Sequence, residues 1–124
     1  MKQKIKILIV EDEALFVIRV EKDLKNLGYQ VCKPVATGEA AIKSAAEEQP
    51  DIVLMDVRLA SKMDGIKAAQ EIRARREIPI IFMSGYSDQE VERRARELNP
   101  VAYLVKPVQI RDIESAIASV FKTR

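Results

Sequence analysis

Short hydrophobic runs recur along the chain, and each is followed by a segment whose apolar residues return every three or four positions. The runs have the length of β-strands and cover residues 5–10, 30–35, 51–55, 79–83 and 101–105. Three following segments carry the apolar stripe of a helix, formed by Phe16, Val20, Leu24 and Leu27, by Val91, Ala95 and Leu98, and by Ile110, Ile113, Ile117 and Phe121. Residues 37–48 and 65–75 are alanine-rich and favour helices by propensity.

This alternation predicts a parallel sheet, because parallel strands need crossover connections and the helices supply them. Residues 52–55 and 80–83 are continuously apolar, as in central strands buried on both faces. Gly28 is a plausible stop for the first helix, and Pro79 opens the fourth strand. We therefore predict an α/β fold in one domain over residues 1–124, a flavodoxin-like (βα)5 doubly wound sandwich with strand order 2-1-3-4-5.

Composition excludes several classes of function. The 124 residues include 21 basic and 19 acidic ones, a net charge of +2, which gives no support for nucleic-acid binding by bulk charge. The apolar runs are too short to span a membrane and no signal peptide is evident, so membrane insertion is not expected and the cytoplasm is the expected location. The chain has no histidine, and its single cysteine, Cys32, is expected to be a small buried apolar residue.

The first strand ends in three consecutive acids, Glu11, Asp12 and Glu13. Without a counter-charge these carboxylates repel one another, so the cluster requires a cation or a cationic neighbour. Phosphate-binding loops of dinucleotide-binding folds have glycines at this place, whereas this chain has negative charge. Asp12 alone could be a helix cap, but three acids in succession favour a functional site.

Other strands of the predicted sheet also end in polar residues: Asp56 after the third, Ser84 after the fourth and Lys106 after the fifth. Oxygen ligands of this kind suit Mg²⁺, with Asp12 and Asp56 as direct ligands and Glu11 holding a coordinated water. The free oxygen of Asp56 could then attack phosphorus, while Lys106 and Ser84 neutralise and hydrogen-bond the phosphoryl oxygens.

Four motifs together resemble a response-regulator receiver domain, the CheY-like phosphoacceptor domain of two-component systems. They are residues 7–13 (ILIVEDE), 53–59 (VLMDVRL), 82–86 (FMSGY) and 103–107 (YLVKP), in the order and spacing of that family. The resemblance implies that Asp56 is the phosphoacceptor and that Glu11 and Asp12 serve the Mg²⁺ site. It further implies that the Arg58 backbone carbonyl is a metal ligand, that Ser84 and Lys106 bind the phosphoryl group, and that the Lys106–Pro107 bond is cis.

The resemblance also implies a function and partners. A sensor histidine kinase or a small phosphodonor would phosphorylate Asp56, and the modified domain would switch conformation and control an output protein or form a homodimer. The domain would catalyse only its own phosphorylation and dephosphorylation, so it is not classed as an enzyme. In the family, the face made by the fourth helix, fifth strand and fifth helix commonly carries these contacts, which makes partner-surface candidates of four arginines: Arg93, Arg94, Arg96 and Arg111.

Three further side chains take their interpretation from the family. Tyr103 stands where a switch aromatic turns inward when the Ser84 equivalent moves; alternatively it is a half-buried tyrosine with its hydroxyl in water. Arg58 and Tyr86 occupy positions that border the path of the attacking water, and their bulk predicts slow dephosphorylation.

The chain departs from the family pattern after Asp56. Position 60 is alanine where many receivers have proline, and Asp64-Gly65 comes one residue later than usual, which predicts a longer and less fixed loop. Asp64 is expected to cap the next helix, and Asp51 to lie at the opposite end of the third strand. The charged run 89–97 is expected to be a solvated helix face with i,i+4 pairs.

Three other classes of protein stay open at this stage. A pseudo-receiver would act as a phosphorylation-independent protein-interaction module, although the acid, hydroxyl and lysine set argues against it. A haloacid-dehalogenase-like phosphatase would need a second aspartate where Arg58 stands, and a cap domain. A flavodoxin-like cofactor binder would place its flavin phosphate against the acids of residues 11–13. The sequence names neither the kinase nor the output, and it leaves open whether the chain stands alone or is part of a larger protein.

Overall fold

All five apolar runs contribute strands to one parallel sheet in the computed structural model, which describes residues 4–59, 61–85 and 88–121. The strand order is β2-β1-β3-β4-β5, which confirms the predicted fold. The strands are β1 (Lys6–Val10), β2 (Gln30–Val31), β3 (Ile52–Asp56), β4 (Ile80–Ser84) and β5 (Ala102–Val105). The helices are α1 (Ala14–Asn26), α2 (Gly38–Glu48), α3 (Gly65–Arg75), α4 (Gln89–Arg96) and α5 (Ile110–Val120).

The sheet separates two hydrophobic layers, because successive strand residues point to opposite faces. One layer holds Leu8, Val53, Met55, Ile80 and Phe82 together with buried residues of α2, α3 and α4. The other holds Ile7, Ile9, Leu54, Ile81 and Met83 together with buried residues of α1 and α5. Every residue of β3 and β4 is buried, as the continuous apolar runs predicted.

The second strand is much shorter than the predicted run 30–35. Regular pairing with β1 ends at Val31, and beyond it Val35 forms an isolated bridge with Val10. Pro34 lies between them and has no N–H to donate, so it interrupts the ladder. Cys32 lies in this stretch and is buried, as predicted.

Leu27 also differs from its prediction, since it is 47% exposed and does not join the apolar stripe of α1. The helix ends at Asn26, and Leu27 is its C-cap. Gly28 follows with a φ of +98°, a left-handed conformation that ends the helix and favours glycine.

Two aspartates next to the sheet have structural roles that the sequence predicted. Asp64 is the N-cap of α3, and its Oδ1 accepts the Lys67 N–H at 2.8 Å. Asp51 lies just before β3, where its Oδ2 accepts the Lys6 N–H at 2.7 Å. Both carboxylates therefore have backbone partners and lie apart from the cluster of Glu11, Asp12 and Asp56.

Candidate functional site

Four strands bring polar side chains to the carboxyl edge of the sheet. Glu11 follows β1, Asp56 and Ser84 end β3 and β4, and Lys106 follows β5. Glu11 is 3% exposed, Asp56 4% and Ser84 1%, so their polar groups lie inside the fold and need partners there. The predicted meeting of these residues is confirmed for Glu11, Asp56 and Lys106, whose side chains make direct contact.

The Lys106 ammonium lies between the two buried carboxylates. Its Nζ donates to Glu11 Oε1 at 2.7 Å and to Asp56 Oδ2 at 3.1 Å. Burial acts to lower the pKa of Lys106, but hydrogen bonds and charge from Glu11 and Asp56 outweigh it, so this pKa lies above its ordinary value. The lysine is therefore positively charged at neutral pH, at the centre of the site.

Each buried carboxylate is also held by a backbone N–H group. Glu11 Oε2 accepts from Glu13 N at 3.0 Å, and Asp56 Oδ1 accepts from Arg58 N at 3.1 Å. Together with the ammonium contacts, these bonds fix the orientation of both side chains before any ligand binds.

Asp12 completes a group of acids that could hold a cation. Glu11, Asp12 and Asp56 each offer an oxygen, and these oxygens lie within 4.8 Å of one another. Asp12 is exposed and does not cap α1, because the N-cap residue is Glu13, whose side chain makes no capping hydrogen bond. Two buried carboxylates and an exposed one at the rim are a donor set that suits a hard divalent cation.

Ser84 and the turn after β5 close the other side of the site. The Lys106 N–H donates to the Ser84 carbonyl at 2.8 Å, which joins the two strand ends. The Lys106–Pro107 peptide bond is cis, as predicted.

Gly65 belongs to the site, although the sequence analysis names it only as part of the late Asp64-Gly65 pair. A Cβ atom at this position would lie 2.0 Å from the backbone oxygen of Asp56 and 2.9 Å from its backbone carbon. The Gly65 N–H also donates to the Val57 carbonyl at 2.7 Å. Only glycine lets the start of α3 approach the backbone of Asp56 this closely.

Comparison with known proteins then assigns the family. A family model described as the response regulator receiver domain matches residues 7–118. The chain belongs to the response-regulator receiver family. Receivers take phosphoryl groups from histidine kinases and act on output partners in two-component signalling, and they are not a classical enzyme family.

Individual relatives agree with this assignment. The transcriptional regulatory protein PdtaR of Mycobacterium tuberculosis is 38% identical over 112 residues, which are 90% of this chain and 54% of PdtaR. The receiver domain of a modulated diguanylate cyclase from Desulfovibrio desulfuricans G20 superposes with a TM-score of 0.88 at 35% identity, covering 94% and 93% of the two chains. The receiver domain of the Pseudomonas aeruginosa sensor histidine kinase PA1611, solved with magnesium coordinated in its active-site cleft, gives 0.85 at 31% identity, covering 98% and 100%.

The family assignment narrows the classes of protein that the sequence left open. The receiver assignment does not favour a haloacid-dehalogenase-like phosphatase or a flavin binder.

The chain spans about half the length of the curated relatives it matches. Within the described residues, every helix is too short or too polar to cross a membrane.

Tyr103 of this receiver points into the protein. Its ring packs against the layer that contains Phe82, and its hydroxyl is buried without a hydrogen-bond partner among the described residues. The Arg96 guanidinium lies 5.7 Å from the ring centroid. The interpretation with the hydroxyl in water is therefore wrong.

The residues predicted to tune dephosphorylation are only partly described. Arg58 is exposed next to Asp56, and its Nη2 lies 3.8 Å from Asp88 Oδ2. Tyr86 and position 60 lie outside the described residues. The Arg58 carbonyl stays a predicted ligand, and the backbone of this residue reaches the site through the N–H bond to Asp56.

The charged helix α4 carries the predicted pairs along its own face. Arg93 pairs with Glu90 at 2.6 Å and with Glu97 at 2.5 Å, and Arg96 pairs with Glu92 at 2.9 Å. Hydrogen bonding and charge between Glu90 and Arg93 lower the pKa of the acid and raise that of the base. Of the four proposed partner-surface arginines, Arg94 instead reaches Asp64, the N-cap of α3, and Arg111 is exposed on α5.

Proposed function

We propose that Asp56 accepts a phosphoryl group from a sensor histidine kinase or a small phosphodonor in a Mg²⁺-dependent reaction. One observation carries the proposal: Asp56 is a buried, oriented carboxylate whose oxygens lie beside the Lys106 ammonium and the oxygens of Glu11 and Asp12. A resident cation is needed because a phosphoryl group adds negative charge to a site that already contains three carboxylates.

The covalent step joins an oxygen of Asp56 to the phosphorus atom of the donor. As this bond forms, the bond from phosphorus to the leaving group breaks, and its electron pair leaves with the imidazole of a phosphohistidine or with acetate. Lys106 stabilises the charge on the transferred group, because its pKa keeps it cationic at neutral pH. The Ser84 hydroxyl is proposed as a hydrogen-bond donor to the same oxygens.

Mg²⁺ would be held by Asp12 and Asp56, with Glu11 supporting a coordinated water and the Arg58 carbonyl as a further ligand. When bound, the ion neutralises phosphoryl oxygens and helps to place the donor. Glu11 is already engaged by Lys106 and by the Glu13 N–H, which suits a supporting role better than direct ligation.

Phosphorylation would bias the domain toward a conformation that binds an output protein or a second copy through α4, β5 and α5. Ser84 and Tyr103 are the proposed switch residues. The Tyr103 ring packs inside the protein and its hydroxyl lacks a polar partner among the described residues, which supports a second, outward orientation. Arg93, Arg94, Arg96 and Arg111 remain candidates for the partner surface.

Intact-mass spectrometry tests the proposal directly. Incubation with acetyl phosphate and Mg²⁺ is expected to add the mass of one phosphoryl group, and chelation of the metal with EDTA is expected to prevent it. A wild-type protein that gives no adduct under either condition, or the same adduct in both, contradicts the proposed reaction. The first result would favour the pseudo-receiver alternative.

Mg²⁺ is expected to raise the thermal midpoint of the wild-type protein, because a ligand that binds only the folded state stabilises it. At ten times the Kd the gain is about 1.4 kcal/mol, or about 5 °C. Asp12→Asn should remove most of this gain, whereas Glu13→Gln, which changes the neighbouring exposed acid, should keep it. Calorimetric melting with and without Mg²⁺ measures this gain. An equal rise in the thermal midpoint of both variants would contradict the role of Asp12.

Lys106→Met is expected to slow phosphorylation by acetyl phosphate about a hundredfold to a thousandfold, because it removes the charge that stabilises the transferred group. The variant also leaves Glu11 and Asp56 buried without their ammonium, at a cost of about 2 kcal/mol, less than for a fully buried pair because water reaches Lys106.

The stability loss of Lys106→Met has a defined pH dependence. The lysine pKa is raised in the folded state, so its stabilising contribution is complete below the ordinary value of 10.5 and is lost as the pH rises through the folded value. Denaturant unfolding between pH 7 and 11 should show a difference in free energy of unfolding between wild type and variant that is constant up to about pH 10.5 and shrinks above it. Lys25→Met, at an exposed lysine paired with Glu21, is the control and should leave phosphorylation unchanged.

Arg58 and Tyr86 are proposed to slow spontaneous dephosphorylation by obstructing the path of the attacking water. Arg58→Asn and Tyr86→Ala are expected to shorten the half-life of the phosphoprotein severalfold, which intact-mass time courses after donor removal measure. Lys25→Met, at the exposed lysine of α1 that pairs with Glu21, serves as the control. Half-lives equal to wild type in both variants would refute the proposal.

A further inference from the structure

The aspartate that caps α4 uses its second oxygen to hold the loop after Asp56. Asp88 Oδ1 accepts the N–H groups of Glu90 at 3.0 Å and Val91 at 3.3 Å, which fixes the first turn of the helix. Asp88 Oδ2 lies 3.8 Å from Arg58 Nη2. One carboxylate therefore joins the N-terminus of α4 to the segment that follows β3.

The aspartate that caps α3 makes the reverse connection. Asp64 Oδ1 accepts the Lys67 N–H at 2.8 Å, and Asp64 Oδ2 lies 3.7 Å from Arg94 Nη2 on α4. The two ion pairs run in opposite directions between the segment 58–64 and α4. We call these four side chains, Arg58, Asp64, Asp88 and Arg94, the reciprocal clasp.

Few buried apolar side chains hold helix α4 in this position. Among its eight residues, all of them described, only Ala95 is buried, and Val91 contributes a partly buried contact to the core. Apolar burial scales with the area removed from water, and an alanine removes little. The orientation of α4 therefore depends strongly on polar contacts to neighbouring segments.

The clasp is connected to the proposed phosphoacceptor through a single residue. The Arg58 N–H donates to Asp56 Oδ1 at 3.1 Å, while the guanidinium of the same residue pairs with Asp88. Two polar contacts, joined by the Arg58 side chain, thus connect Asp56 to Asp88, whose other carboxylate oxygen caps α4. A change at the Asp56 carboxylate alters the first contact of this series.

We propose that Asp88 is a positioning residue that couples the state of Asp56 to the N-terminal turn of α4 through Arg58. The inference rests on the proposed phosphorylation of Asp56 and adds the route by which the modification reaches the helix. The coupling is a free energy that single and double variants of the two residues can measure. Because both ion pairs are exposed, each should contribute a factor of about 2 to 5 in an equilibrium constant.

Hydrogen exchange of the α4 amides in the full chain provides the readout. It is measured in wild type and variants, with and without Mg²⁺ and beryllofluoride, an analogue of the phosphoryl group. Asp88→Asn removes the charge that pairs with Arg58 but keeps a good N-cap, so it separates the ion pair from the cap. In this variant the beryllofluoride-induced change in α4 exchange should be smaller than in wild type by a factor of about 2 to 5.

Three further measurements make the result specific. Arg58→Gln should reduce the response as much as Asp88→Asn, and the double variant should lose no more than either single one, because both remove the same contact. Arg58→Lys should restore part of the response. In about 1 M NaCl, where the Debye length is about 3 Å, the wild-type response should fall toward that of Asp88→Asn.

Arg93→Gln is the matched control, because Arg93 pairs only within α4 and its immediate C-terminus among the described residues. It should leave the response at the wild-type level. A full response in Asp88→Asn and Arg58→Gln, additive losses in the double variant, or no response of α4 in a wild type that phosphorylates would overturn the proposal. Intact-mass analysis of the same proteins with acetyl phosphate separates these outcomes from failure of the proposed function, which shows as a missing adduct.

Discussion

Asp56→Asn is expected to fold and to form no adduct with acetyl phosphate and Mg²⁺. The asparagine amide has the shape of the carboxylate and can still accept the Arg58 N–H, so the free energy of unfolding should stay within about 1 kcal/mol of wild type. The amide oxygen carries no full negative charge and is a poor nucleophile toward phosphorus. Intact-mass spectrometry should therefore show the unmodified protein at every donor concentration that modifies the wild type.

Asp51→Asn is the matched control for this prediction. Asp51 lies at the other end of β3, where it accepts the Lys6 N–H, so its replacement changes the same chemical group far from the site. It should form the adduct at the wild-type rate. An equal adduct on Asp56→Asn, or loss of the adduct in Asp51→Asn alone, would show that the phosphoacceptor lies elsewhere.

Gly65→Ala is expected to destabilise the protein by about 3 kcal/mol or more, at the upper end of the cost of overpacking. The new Cβ would lie 2.0 Å from the Asp56 backbone oxygen, and neither backbone can move without disturbing β3 or α3. The thermal midpoint should fall by about 10 °C or more. Because the clash displaces Asp56 itself, phosphorylation of the remaining folded protein should also be slower.

Gly85→Ala tests whether this effect belongs to the position or to the residue change. Among the described residues, a Cβ at Gly85 would meet the Lys106 Cδ alone, at 3.9 Å, which is ordinary contact. Gly85→Ala should therefore melt within a few degrees of wild type and keep phosphorylation. Equal melting temperatures for the two variants in the same calorimetric experiment would contradict the close-packing argument at Gly65.

Much of the site could be predicted because it depends on strand ends. A continuous apolar run such as 52–55 marks a buried strand, and the residue that follows must lie at the sheet edge. Once alternation fixes a parallel sheet, Glu11, Asp56 and Lys106 are required to share that edge. Their contacts in the structure follow from topology and need no detailed knowledge of packing.

Other features depend on how close two segments approach, which periodicity does not encode. The need for glycine at position 65 arises from the backbone of Asp56, nine positions earlier. The pair between Arg58 and Asp88 requires two loops of unrelated sequence to meet. The short β2 has a local cause, because Pro34 has no N–H to donate to the ladder. The apolar content of residues 30–35 alone predicts a longer strand.

Lys106 gives this site a tethered counter-ion that cannot diffuse away. In many clusters of acids the charge is balanced only by whatever ions the solvent supplies, whereas here the ammonium of the residue that follows β5 is present at a fixed, high local concentration. Metal removal is therefore expected to leave a folded resting state in which both buried carboxylates keep an ammonium partner and their charge stays partly neutralised. The proposed dependence on Mg²⁺ would then be confined to the transfer chemistry, so that a fall in the ion would stop the proposed signalling without unfolding the protein.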